Sequence, residues 1–139
     1  MQPRYTSITD KRNIKGLLKT LVQKKNLVQS MHEALEYKKF TFTHTENPEI
    51  KAHIEDYLKK QQEEYDRYIN EIANTEEFIF SLMKTLTPVE HQIILNRYMM
   101  CYSLNKTARL MYYSPESIKL YTSSAIEKMK KEAEKNEKC

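Results

Sequence analysis

The sequence predicts an all-α protein, a long antiparallel helical hairpin (coiled-coil-like) followed by a bundle of short helices. Three observations predict it. The 139 residues include one Gly and four Pro, too few for the turns a sheet protein needs every 8–12 residues or so. Helix formers such as Lys, Glu, Leu, Ile and Gln dominate the remainder. Apolar residues recur at helical spacing through most of the chain. With 40% hydrophobic residues a core is available, so wholesale disorder is not expected.

The same composition excludes several function classes. A single Gly cannot spell a phosphate-cradling glycine loop. Cys101 and Cys139 make no disulfide framework, and His32, His44, His53 and His91 share no ligand spacing with them or with each other. No metal and no cofactor are therefore expected. Carboxylates are plentiful, but none sits on an otherwise apolar segment where its pKa could be tuned for catalysis, so no enzyme is expected. No apolar run approaches the roughly 20 residues of a membrane span, and the N-terminus lacks the apolar core of a signal peptide. No membrane partner is expected, and the expected location is the cytoplasm.

Charge alternates along the chain. Residues 1–47 carry nine Lys/Arg against four Asp/Glu, residues 48–86 carry five against nine, and residues 87–131 carry seven against three. The basic and acidic segments can neutralise each other side by side, which leaves the third as the electropositive module.

The first helix is expected from about 10 to 39, with Asp10 as its N-cap. Ile14, Leu21, Val28 and Leu35 lie seven apart, with Leu17 and Met31 at d-type positions and Lys24 interrupting the seam. The run from Phe40 to Glu46 is rich in Thr and Phe and predicts a break. Asn47-Pro48 then caps and opens a second helix, seamed by Ile54, Tyr57/Leu58, Tyr65, Tyr68/Ile69 and Ile72, with its own polar weak spot at Gln61 and Gln62. Asn74 to Glu77 resembles a capping box, so this helix either restarts there or continues toward Leu86. The division expected is residues 1–74 as an oligomerising hairpin and 75–139 as a second domain.

Short elements follow. Thr87-Pro88 opens a helix through Ile93, Ile94 and Tyr98, and Met99 to Ser103 reads as a turn. Leu104 to Met111 is a second helix, with Leu104, Thr107, Ala108 and Met111 facing inward. Ser114-Pro115-Glu116 opens the last, which turns Ile118, Tyr121, Ala125 and Met129 to the core. Two short helices, a tight turn between them and a small residue at the crossing make the helix-turn-helix pattern.

The residues Leu86-Thr87, Glu90, Ile93-Ile94, Arg97-Tyr98, Thr107-Ala108, Ser114, Ile118, Ala125 and Lys128-Met129 resemble region 4 of bacterial sigma-70-type factors over about 45 positions. With a helical hairpin ahead of it, the chain is similar to the small phage regulators of late genes of the ArpU/RinA type. The resemblance implies a helix-turn-helix that places its last helix on double-stranded DNA, and a salt bridge between Arg97 and Glu90. Departures from the pattern are Tyr112 near the turn position where Gly is usual, Lys106 in place of an acid, and a last helix without the usual Arg/Gln-rich start.

The candidate DNA-binding residues are Lys106, Arg109, Ser114, Glu116, Ser117, Lys119, Leu120, Thr122 and Ser123. Lys106 and Arg109 suit phosphates. Glu116 can accept from cytosine N4, Lys119 can reach phosphate or guanine, and Leu120 can touch a thymine methyl. Ser and Thr, Ser124 among them, would line the same outward face. Tyr112 and Tyr113 are expected in turn and core packing. The expectation is a homodimeric, sequence-specific transcription regulator in the bacterial host cytoplasm. The alternatives are a sigma mimic that docks on RNA polymerase or another protein, and a small DNA-packaging (terminase) subunit.

Overall fold

The computed structural model describes residues 13–137 and is all-helical, with no strand among the described residues. In order, the elements are α1 (Ile14–Thr43), α2 (Pro48–Ser81), α3 (Pro88–Ile94), a π-helical turn (Leu95–Met99), α4 (Leu104–Met111) and α5 (Pro115–Glu137). The expected cap Asp10 lies outside the described residues. At Asn13, Oδ1 accepts from the Gly16 backbone N–H at 3.0 Å, which caps the helix three residues later.

The break expected from Phe40 does not occur there, and α1 continues to Thr43. Three threonines at alternate positions keep the helical end satisfied instead of competing with it. The hydroxyls of Thr41, Thr43 and Thr45 donate to the carbonyls of Tyr37, Lys39 and Thr41 at 3.1, 3.1 and 2.6 Å. The Asn47 cap is as expected, its Oδ1 accepting from the backbone of Glu49 and Ile50 at 2.9 and 3.1 Å. Of the two courses open to α2, the continuous one is found: it runs through Asn74 without a break and ends at Ser81.

The described residues divide into two compact units, residues 23–74 and residues 75–137 together with 13–22. The expected division at 74/75 therefore leaves out the first turns of α1, which pack with the C-terminal elements. In the 23–74 unit the ends of α1 and α2 pair in reverse order. Lys24 meets Glu71 at 3.1 Å, His32 faces the ring of Tyr65, Lys38 lies over Tyr57 and Lys51 over Phe42. The polar interruption of the seam, Lys24, is thus matched by a carboxylate. Only Val28, Leu35 and Ile72 of its large apolar side chains are buried, while Leu27, Tyr37, Phe40, Ile50, Tyr57 and Ile69 are exposed.

The other unit holds the larger core. Ile14, Leu18, Leu21, Ile79, Leu82, Ile93, Ile94, Ile118 and Met129 are all within 1% of complete burial. Ile93, Ala108 and Ile118 meet where α3, α4 and α5 converge, with Val89, Leu104 and Met111 packed around them. The small side chain of Ala108 lets α4 approach α5 at that crossing.

Candidate nucleic-acid interface

Each short helix is set by a local cap. Thr87 and Glu90 form a reciprocal box: Glu90 N–H donates to Thr87 Oγ1 at 3.2 Å, and Thr87 N–H donates to Glu90 Oε1 at 2.9 Å. Ser103 Oγ accepts from Lys106 N–H at 3.0 Å and opens α4. Ser114 Oγ accepts from Ser117 N–H at 3.1 Å and donates to Ser117 Oγ at 3.0 Å, opening α5.

Between α4 and α5 the chain turns at Tyr112, which takes the left-handed conformation with φ 61° and ψ 39°. Tyr113 N–H donates to the Ala108 carbonyl at 3.0 Å and Tyr112 N–H to that of Arg109 at 3.3 Å, the paired closure of a Schellman turn. The position where Gly is usual is thus held by a tyrosine. Its packing role is not found, since its side chain is 95% exposed. Tyr113 instead meets Tyr121 edge-on, with ring centroids 5.6 Å apart. Replacing Tyr112 by Gly removes a Cβ penalty and no buried contact, so Tyr112→Gly is expected to stabilise the fold by about 0.5–1 kcal/mol in chemical denaturation. A loss of stability would show that the exposed ring contributes to the turn.

The last helix turns Ile118, Ala125 and Met129 inward as expected, but Thr122 rather than Tyr121 completes the stripe. Its buried stripe is Ile118, Thr122, Ala125 and Met129, and Tyr121 lies at the boundary at 36% exposure. Thr122 is inward because its hydroxyl is already satisfied, donating to the Ile118 carbonyl at 2.7 Å. Thr122 is therefore corrected from a DNA-facing to a core residue. Ser124 is also engaged, donating to Glu90 Oε2 at 2.6 Å. Of the other candidates, Lys106, Arg109, Ser114, Glu116, Lys119, Leu120 and Ser123 are exposed and Ser117 is half-buried. Ser114 and Ser117 are occupied by the cap. Lys106 lies over the ring of Tyr102 at 4.0 Å. Glu116, Lys119, Leu120 and Ser123 follow the spacing of one helical edge, and Leu120 is 73% exposed.

The Arg97–Glu90 salt bridge is replaced by a different pair. Glu90, 3% exposed, receives Lys128 Nζ at 2.8 Å on the same Oε1 that takes the Thr87 backbone. Burial opposes its charge, but the hydrogen bonds from Lys128, Ser124 and the Thr87 backbone, with the charge of Lys128, outweigh it and lower its pKa to about 2. One carboxylate thus joins the start of α3 to the middle of α5. Arg97 lies over the ring of Tyr98, 5.6 Å from its centroid, and its buried Nε has no hydrogen-bond partner. Burial raises the pKa of the Tyr98 phenol, with Arg97 pulling the other way.

Among the described residues no cluster of His, Cys, Asp and Glu could hold a metal ion, and no helix is long and apolar enough to cross a membrane. No family model, curated protein or solved structure matches the chain.

Proposed function

We propose that the protein is a sequence-specific, double-stranded DNA-binding transcription regulator of the phage or mobile-element type. In this reading α4, the Tyr112 turn and α5 form a helix-turn-helix like that of sigma region 4. The observation that carries it is the edge of α5 formed by Glu116, Lys119, Leu120 and Ser123. It is exposed on a helix whose start is held by the Ser114 cap and whose opposite side is held by Ile118 in the core. A protruding, rigid edge with an acid, a cation, a hydroxyl and an aliphatic group supplies what major-groove reading requires. Lys106 and Arg109, exposed on α4, would contact phosphates and set the register.

Homodimerisation through the paired α1 and α2 completes the mechanism. The 23–74 unit buries few apolar side chains and exposes several large ones, which favours a second copy as cover. Two copies would present two α5 helices to half-sites about ten base pairs apart, or a multiple of that.

The test is to incubate the full-length protein with a random duplex pool at near-physiological salt and to sequence what it retains. The expected result is a motif repeated at helical-turn spacing. Retention without enrichment would leave only the phosphate term, and no retention would remove the reading. A second reading, docking on RNA polymerase or another protein, is favoured by the exposed Leu110, Tyr112 and Leu120, which are 53%, 95% and 73% accessible.

A further inference from the structure

An open cleft of about 870 Å³ lies beside α5, within the unit that contains α3 to α5. It is lined by Lys15 at the start of α1, Arg97 in the π-helical turn, and Lys119, Ser123 and Lys130 along α5, with Glu127 as its one carboxylate. The four cations come from α1, the π-helical turn and both halves of α5, so their convergence is a property of the fold. Lys15, Lys119 and Lys130 are exposed, and no ion pair among the described residues takes up any of the four cations. Four like charges around one cleft repel one another, and each loses part of that cost when a polyanion enters. Lys119 and Ser123 also belong to the exposed edge of α5, so the cleft continues that edge toward α1.

We propose that this cleft seats the phosphate backbone of duplex DNA alongside α5, with Lys15, Arg97 and Lys130 as phosphate contacts in addition to Lys119. The inference rests on the DNA-binding reading above and extends its contact surface to α1 and the π-helical turn. In it, the guanidinium of Arg97 and the two lysine ammonium groups hold the duplex in place without reading its sequence. Specificity stays with Glu116 and Leu120, while the cleft supplies affinity that depends on salt.

The experiment measures binding of the full-length protein to a 30-base-pair mixed-sequence duplex by fluorescence anisotropy across a series of NaCl concentrations. The Lys15→Gln/Lys130→Gln double variant is compared with wild type, and both altered side chains are exposed, so equal thermal unfolding is the accompanying control. The expected result is affinity lower by about tenfold or more near 0.15 M salt, and a log–log salt slope shallower by about 2 for the two lost phosphate contacts. Lys15→Arg/Lys130→Arg keeps the charge and is expected to bind as wild type does, whereas a fold defect would lower both variants. Wild-type binding with an unchanged slope in the Gln variant overturns the cleft's role and leaves the DNA reading standing. Failure of the wild-type protein to bind the duplex overturns both.

Discussion

Replacing Glu90 by Gln is expected to lower the stability of the folded protein at pH 7 by roughly 3 kcal/mol, and to flatten its response to acid. The carboxylate is almost fully buried and accepts from Lys128, Ser124 and the Thr87 backbone, which brings its pKa from 4.5 to about 2. A carboxyl group whose pKa is lower in the folded than in the unfolded chain stabilises the fold above the unfolded value. That stabilisation is lost as pH falls from about 4.5 toward 2. The difference of about 2.5 pKa units corresponds to roughly 3 kcal/mol. Wild-type protein followed by denaturant unfolding should therefore weaken steeply across that window, while Glu90→Gln, with no charge to lose there, should weaken less. Ser124→Ala removes one neutral donor and is expected to cost nearer 1 kcal/mol. Equal stability of wild type and Glu90→Gln at pH 7 would show that Lys128, itself partly exposed, contributes nothing net to the pairing.

A fragment of residues 84–139 is expected not to fold cooperatively. It contains all of α3, α4 and α5 and so looks like a complete module. Yet Ile14, Leu18, Leu21, Ile79 and Leu82, each at most 1% exposed, belong to the same compact unit and would be missing. Each such side chain contributes about 1.5–3 kcal/mol by burial. Even half of that total is comparable with the roughly 5–15 kcal/mol stability of a whole domain. Thermal unfolding of the fragment followed by circular dichroism should be broad and shallow. A sharp transition near that of the full chain would show that α3 to α5 stand alone.

The helix starts marked by a capping residue before proline were legible because their causes are local. Asn47, Thr87 and Ser114, each just before a proline, satisfy orphan backbone donors within three residues, at Glu49, Glu90 and Ser117. The end of α1 was not legible, because the same Thr residues that favour a break in one geometry donate back to i−4 carbonyls in another, and local sequence does not choose between them. The partner of Glu90 was misplaced for a tertiary reason. Lys128 lies 38 residues away and reaches the carboxylate only once α3 and α5 pack together. Arg97 was thereby released from its expected pairing and lines the cleft beside α5.

The edge of α5 was partly legible. Glu116, Lys119, Leu120 and Ser123 are exposed as their positions suggested, but Thr122 and Tyr121 exchange places because a hydroxyl bonded to its own helix can be buried while a large phenol stays at the rim. A signal for this was present in the sequence. Thr122 lies four residues after Ile118, the spacing of an i−4 back-bond, and Ile118, Thr122, Ala125 and Met129 form a better stripe than one through Tyr121. The left-handed Tyr112 was flagged by position alone, since glycine is the usual occupant and nothing in a tyrosine announces that conformation.

The central claim is that the exposed edge of α5 reads base sequence. The most direct measurement is selection from a random duplex pool by wild-type protein and, in parallel, by the Glu116→Ala/Leu120→Ala variant. Both side chains are solvent-exposed, so the variant is expected to keep its fold. The account predicts that wild type enriches one motif and that the variant loses preference at one or two positions of it while keeping affinity for duplex DNA in general. The same motif from both proteins, or none from wild type, would contradict it.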